Sequence, residues 1–371
     1  MRIGISTRGL NQSSFAISTI IYHLTKTIIE LAPNDIEFFI YTNDPNFEHI
    51  FNSDTQKRSK KIKSRFIWDH VWLPPQLRND KVDIALFMKG TLPFILPCEG
   101  VVIFHDMGYF HDKLQPYKYF ETIYMKKMLA EAGKKASRIF AVSEYTRNEA
   151  AKILGINPAK ISVFYPDCSP IFKPVTDPEI LSTVRTSYGL PTNYIFYPSS
   201  LSPRKNYDRI LDAFAVLLDQ IPHHLVITGG QSWHATSLIK RIRSEFPQRI
   251  RILGNVPQVH MPALYTLAKF TIYPSLLEGF GFPILESFRC GCPVLTSNLA
   301  SMPEIAGGAA YLVDPYNSEE ISNGIHQLAT DETLCQELVE KGFERAKIFS
   351  WRKAAAHILS DLTCGSKFGQ R

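Results

Sequence analysis

Short apolar runs alternate along the chain with longer stretches in which apolar residues recur every three or four positions. The first kind predicts buried strands and the second amphipathic helices. In the first half the runs predict strands at Arg2–Ser6, Ile36–Tyr41, Val82–Phe87, Gly100–Phe104, Arg138–Val142 and Ile161–Tyr165. Helices are predicted over Ser14–Leu31, Tyr117–Gly133 and Glu144–Leu154, with Ser143 as the N-cap of the last. Residues 166–188, carrying Pro166, Pro170, Pro174 and Pro178, read as a connector with a short helix. The second half repeats the pattern. Strands are predicted at Tyr194–Tyr197, His224–Thr228, Ile250–Leu253, Phe270–Tyr273, Pro293–Thr296 and Ala310–Val313. Helices are predicted at Asn206–Gln220, Ala235–Phe246, Met261–Ala268, Ile284–Cys290, 318–329 and 331–347. Strand–helix alternation implies parallel sheets covered by helices. The expected class is therefore α/β, with two Rossmann-like domains over 1–175 and 176–350. Residues 351–371 would supply an amphipathic helix, Trp351–Leu362, that either seals the second domain or returns to the first, and a frayed tail. Ligands in such folds bind outside the carboxyl ends of the strands, here in a cleft where the two sheets face.

Composition narrows this picture. A chain of 371 residues suits two domains. With 45% hydrophobic and 20% charged residues it can bury substantial cores. No apolar run reaches the ~18–20 residues that span a bilayer. The first residues, Met1-Arg-Ile-Gly-Ile-Ser-Thr7, read as a strand rather than a signal peptide. The six cysteines form no regular framework, and Cys290-Gly-Cys292 reads as reduced core thiols. A cytoplasmic protein is expected. The net charge of +6 is uneven: residues 1–175 hold 23 Lys and Arg against 17 Asp and Glu, and the remainder balances. The densest run is Lys57, Arg58, Lys60, Lys61, Lys63 and Arg65, followed by Lys126, Lys127, Lys134, Lys135 and Arg138. Such runs form either a solvated face or a docking surface for anionic headgroups or an anionic acceptor. No nucleic-acid motif accompanies them.

The densest chemistry is Glu278-Gly-Phe-Gly-Phe-Pro-Ile-Leu-Glu286, two acids eight positions apart. Pro283 suits a first helical turn, and Gly279 and Gly281 permit close backbone approach to a ligand. Amides at the helix start would face an anion. Glu286, expected in that first turn, suits hydroxyls. A ligand with both features is a sugar nucleotide. Ser202-Pro-Arg-Lys-Asn206 follows a strand, and Arg204 and Lys205 suit a diphosphate. Phe104-His-Asp-Met107 closes another strand; His105 could donate to a hydroxyl, with Asp106 orienting it. No D-x-D or H-x-x-H pair occurs, so cations and helix ends would neutralise a leaving diphosphate without a metal. No P-loop, G-x-S-x-G or G-x-G-x-x-G motif occurs either.

These residues resemble a known family. Leu253-Gly-Asn-Val-Pro257, Leu264-Tyr265, Pro274-Ser275, Glu278–Glu286, Gly291-Cys-Pro-Val-Leu295, Met302-Pro-Glu304, Gly307-Gly308 and Leu312-Val-Asp-Pro315 are similar to the donor domain of glycosyltransferase family 4. The likeness is dense over about residues 190–350 and looser before 175, where His105-Asp106 and Val142-Ser-Glu144 match in order. It implies the two-domain GT-B fold and retaining, metal-independent transfer, with no cofactor. Carried over by position, Arg204 and Lys205 hold the donor diphosphate and Glu286 binds the ribose hydroxyls. Glu278 and the amides of Gly279, Phe280, Gly281 and Phe282 sit by the transferred sugar. His105 lines the reaction centre, and Phe349-Ser-Trp351 begins the segment that crosses back to the first domain. Two departures stand out. The turn Thr7–Ser14 has one glycine where many members have two, so Gly9 or a neighbour faces the phosphate. Pro198-Ser-Ser200 replaces an arginine that some members carry, which places more leaving-group charge on Arg204 and Lys205.

The resemblance extends to bacterial surface-polysaccharide mannosyltransferases. The expected donor is GDP-mannose, with UDP-glucose or UDP-N-acetylglucosamine as alternatives. The expected acceptor is a glycan or a lipid-linked saccharide, which would bring the enzyme to the inner face of the membrane. Competing readings are a sugar-nucleotide epimerase or phosphorylase on the same fold, and a non-catalytic relative that binds sugar nucleotides or membranes.

Overall fold

The computed structural model describes residues 1–10, 15–44, 51, 55–114, 117–230 and 235–363. Residues 11–14 of the first turn and the tail from 364 lie outside the described residues, so the readings made there have no counterpart. The chain divides into two compact units. Unit 1 comprises 1–110, 117–167 and 349–371; unit 2 comprises 168–348 with 111–116. The final helix, Trp351–Thr363, thus belongs with unit 1.

Unit 1 is built on β1 (Arg2–Ser6), β2 (Glu37–Thr42), β3 (Gln56–Ser59), β4 (Ile84–Phe87), β5 (Glu99–Phe104), β6 (Arg138–Ala141) and β7 (Ile161–Val163). All pairings are parallel, in the order β3-β2-β1-β4-β5-β6-β7. The order reverses between β1 and β4, the position at whose carboxyl ends open α/β sheets take ligands. β4 is buried at every position, as a strand covered on both faces requires. Trp68, Leu73 and Leu77 pack into the core beneath β2 and β4. At the end of the unit, Trp351 stacks on His23 of the helix Phe15–Leu31, and burial drives the His23 imidazole down to about 4.

Unit 2 repeats the plan with β8 (Tyr194–Pro198), β9 (His224–Thr228), β10 (Ile250–Gly254), β11 (Phe270–Tyr273), β12 (Val294–Ser297) and β13 (Tyr311–Val313). Its parallel order is β10-β9-β8-β11-β12-β13, with the reversal between β8 and β11. Helix ends follow their local residues. Asp177 caps Pro178–Tyr188, Asn317 caps Ser318–Thr330 and Asp331 caps Glu332–Ala346 through side-chain oxygens on backbone N–H groups.

Three sequence expectations change. β3 was unforeseen; its polar residues run along the edge of the sheet, where only one neighbour is needed. Ser64 caps a helical stretch from Arg65 to Asn79 that contains a widened turn at Trp68–Trp72. The helix predicted over Asn206–Gln220 runs only from Tyr207 to Ala215.

Candidate active site

In unit 2 the loops leaving β8 and β11 meet at the strand reversal. After β8 a single turn, Pro203–Lys205, ends at Asn206, whose φ of 66° is left-handed. Asn206 Nδ2 donates to the carbonyls of Pro315 at 2.7 Å and Pro274 at 3.2 Å, which offsets the strain. The hydroxyl of Tyr197 donates to the Lys205 carbonyl, and the Leu276 amide donates to the Arg204 carbonyl at 2.8 Å. The backbone of the Arg204–Lys205 pair is therefore held from both sides.

The side chains converge on Glu278. Lys205 Nζ lies 2.5 Å from Glu278 Oε1 and donates to Tyr273 Oη at 2.5 Å. Arg204 Nη1 lies 3.8 Å from Glu278 Oε2. Lys205 and Glu278 are both buried, at 6% and 7% exposure. Burial alone would raise the Glu278 carboxyl, but Lys205 and then Arg204 hold it below the usual carboxylate range. Ser301 Oγ donates to the Glu278 carbonyl at 3.0 Å and fixes the loop. The sequence placed Lys205 as a ligand for phosphate. In the fold its ammonium is the counter-charge of Glu278.

Glu286 sits in the second turn of the helix Phe282–Arg289, not in the first turn as expected. Its Oε2 accepts from Tyr265 Oη at 2.7 Å. Burial pushes its carboxyl up to about 7, which the tyrosine bond only partly offsets. Gly281 is the N-cap, with φ of 95°, and a Cβ there would press on Ile284 Cδ1 at 3.2 Å. Phe280 and Phe282 are buried with their rings 5.0 Å apart, and Gly279 is buried in the same turn. Cys290 and Cys292 are free and buried, and burial pushes both thiols up, Cys292 to about 11.

Unit 1 carries the remaining candidates. His105 follows β5, and its Nε2 bonds to the Met88 carbonyl at 2.5 Å, so the neutral ring carries its proton there. Burial lowers its imidazole. Asp106, expected to orient that ring, accepts from the Gly108 amide through Oδ1 at 2.8 Å, and the backbone of Met88 holds the ring. Gly9 follows β1 with φ of 95°, and its amide donates to Asn43 Oδ1 at 3.2 Å. Ser143 Oγ accepts from the Thr146 amide at 3.0 Å, the capping role its sequence position implied. Sequence reasoning gave no role to Tyr273, Tyr265, Asn206 or Ser301, although Asn206 directly follows the Arg-Lys pair and Tyr265 lies in the Leu264-Tyr265 match.

Comparison with known proteins fits this geometry. Residues 185–345 match the family model for glycosyl transferases group 1, and residues 21–166 match glycosyltransferase family 4. O-antigen chain mannosyltransferase B of Escherichia coli is 31% identical over 269 residues, covering 70% of this chain and 69% of that protein. The serotype-specific mannosyltransferase WbdA of the same species is 28% identical over 248 residues, covering 65% of this chain but only 30% of the longer relative. Among solved structures, Anabaena Alr3699/HepE in complex with UDP and glucose superposes with a TM-score of 0.76 at 16% identity, covering 98% of this chain and 100% of that one. WaaG, a glycosyltransferase of lipopolysaccharide biosynthesis, gives 0.75 at 14% identity with 98% and 100% coverage. The two doubly wound sheets are thus those of the GT-B fold, and the chain belongs to the group 1, family 4 glycosyltransferases.

Proposed function

We propose that this glycosyltransferase moves a hexose, mannose in the first place, from a nucleotide-diphosphate sugar to a glycan or lipid-linked acceptor during surface polysaccharide assembly. GDP-mannose is the proposed donor. The mannosyltransferase relatives support the sugar, and the polysaccharide roles of the O-antigen relatives support the process. The observation that carries the reading is the Arg204–Lys205–Glu278 cluster at the strand reversal of unit 2. As the bond from the anomeric carbon to the diphosphate oxygen breaks, negative charge grows on the leaving group. Fixed cations there stabilise the transition state more than the ground state. The acceptor hydroxyl forms the new bond with retention, and its proton leaves with the diphosphate. In this reading Glu278 keeps Lys205 and Arg204 charged and placed. Glu286, with Tyr265 beside it, takes the ribose hydroxyls. Gly281 sets the turn that faces the transferred sugar, and His105 lines the reaction centre from unit 1. Arg204 and Lys205 supply the charge that a metal would otherwise bring, so the reaction is proposed to need no metal or cofactor.

The proposed setting is the cytoplasmic face of a membrane. No helix among the described residues is long and apolar enough to cross one. An anionic membrane surface is the second proposed partner, through the exposed aromatics and lysines of unit 1. A donor screen tests the central reading. Nucleotide release from GDP-mannose should exceed release from UDP-sugars, persist with a chelator, and yield product of unchanged anomeric configuration by NMR. Release from no nucleotide sugar would overturn it.

A further inference from the structure

A second cluster of buried charge lies in unit 1, where its own strand order reverses between β1 and β4. Arg8 follows β1 and Lys89 follows β4. The widened turn Trp68–Trp72 delivers Asp69 to Arg8, with Nε 2.9 Å from Oδ1. Thr91 Oγ1 accepts from Arg8 Nη2 at 3.1 Å and donates to Asp69 Oδ2 at 3.2 Å. Arg8, Asp69 and Thr91 are 9%, 3% and 3% exposed. Arg65 pairs with Glu121 at 3.4 Å. Both nearby carboxylates are therefore already committed. Lys89 is left over: half-buried, with no hydrogen bond or ion pair among the described residues. Its ammonium lies against the Gly9 turn; a Cβ on Gly9 would be 2.8 Å from Nζ. Burial, then Arg8 and Arg65, lower Lys89 to about 8, against the opposing pull of Asp69 and Glu121, and His105 lies in the same field. A surplus cation is costly in such a place unless a ligand supplies the counter-charge. Open α/β sheets bind ligands at this position.

We propose that Lys89, backed by the Arg8–Asp69–Thr91 network and roofed by Gly9, binds an anionic group of the acceptor, a phosphate or a sugar carboxylate. This rests on the reading above, in which Arg204 and Lys205 take the donor diphosphate and unit 1 takes the acceptor. The acceptor is then an acidic glycan or a phosphorylated saccharide, not a neutral one.

Competitive trace acetylation of the whole protein, read at Lys89 by mass spectrometry, tests the site. Inorganic phosphate and glucuronate are the probes, at constant ionic strength, with mannose, GDP and chloride as further arms. Phosphate or glucuronate should slow Lys89 labelling several-fold and move its half-maximal reactivity above about pH 8, because a bound anion favours the charged form. Whichever anion protects better names the acid class. Mannose should have no effect. Phosphate should also raise the melting temperature of the wild type more than that of Lys89→Gln. Unchanged labelling with both anions, protection by GDP alone, or equal thermal response of wild type and Lys89→Gln would overturn the site. Failure of the donor reading is separately visible as absent nucleotide release.

Discussion

Lys205 has an observed partner in Glu278 and a proposed role at the leaving group, and a single substitution confounds them. Lys205→Ala removes a cation from the proposed leaving-group site and also leaves Glu278 buried, with Arg204 at 3.8 Å as its remaining ion-pair partner. Breaking a buried pair costs about 3–5 kcal/mol, so this variant should melt early. Lys205→Met combined with Glu278→Gln removes both charges and should recover much of the melting temperature. Its turnover should stay down roughly 10–150-fold, the worth of about 1.5–3 kcal/mol of charge-assisted bonding. Wild-type turnover in that double variant would remove Lys205 from the chemistry. Glu286 makes a pH prediction. Its folded carboxyl titrates at about 7, above the value near 4.3 of an unfolded glutamate. The folded state therefore holds the proton longer. This contribution to stability is present in acid and is lost as pH rises through 7. Two ribose hydroxyls need the ionised form as acceptor, so donor affinity should strengthen between pH 6 and 8. Glu286→Gln should flatten both dependences. A wild-type donor affinity that ignores pH in this range would detach Glu286 from the ribose.

At the scale of elements, the site depends on how closely the loop after β8 approaches the end of β9. Gly229 has φ of 117°, and a Cβ there would stand 2.5 Å from the Ser199 carbonyl oxygen. The loop is stitched to that end by Ser199 N–H to the Thr228 carbonyl and Leu201 N–H to the Gly230 carbonyl, both at 3.0 Å. Gly229→Ala must move backbone that leads to Arg204 and Lys205. It should cost about 1–3 kcal/mol of strain or more and depress turnover with it. Gly155→Ala is the control. Gly155 ends the helix Glu144–Leu154 at φ of 64° with nothing near its missing Cβ, so a loss of about 1–2 kcal/mol with normal turnover is expected. Equal effects on turnover in the two variants would show that close approach of the β8 loop does not position the cations.

At the scale of the molecule, the positive excess of the first half is only partly available. Lys57 Nζ donates to the Phe51 carbonyl at 2.9 Å, Arg58 pairs with Asp80 at 2.7 Å, and Arg65 pairs with Glu121. Lys60, Lys61 and Lys63 remain exposed. Unit 1 also carries exposed apolar residues invisible to charge counting: Phe120, Tyr119 and Ile95 are 84%, 73% and 71% exposed. Its segments are tied together: Phe66 packs on Phe94 at 6.3 Å, His70 stacks on Phe94 at 3.9 Å, and His70 Nε2 meets Tyr124 Oη at 3.1 Å. Aromatics flanked by lysines match an anionic bilayer surface, where each lysine contributes on the order of 1 kcal/mol. Vesicle sedimentation should require anionic lipid. Replacing Lys60, Lys61 and Lys63 with glutamate should weaken it, and Tyr119→Ser with Phe120→Ser should remove the part that survives high salt. No binding, or equal binding to neutral vesicles, would refute the docking face.

Where signals are contiguous, the sequence alone was sufficient. Buried parallel strands are short apolar runs, helix ends carry their own caps, and the Arg204–Lys205 and Glu278–Glu286 motifs are local. The order of elements, the doubly wound class and the family follow from such stretches. Partner identity does not. Lys205 finds Glu278 across 73 positions, and Arg8 finds Asp69 only because a widened turn aims it there. β3 has no apolar signature, since an edge strand is held by backbone pairing to β2. The final helix could have served either domain, because its apolar face matches any apolar groove; it belongs to unit 1, where Trp351 meets His23. Charge compensation and burial are sums over residues distant in the chain. Only the folded arrangement decided which cations were spent on ion pairs, as Arg8 is on Asp69, and which, like Lys89, make none among the described residues.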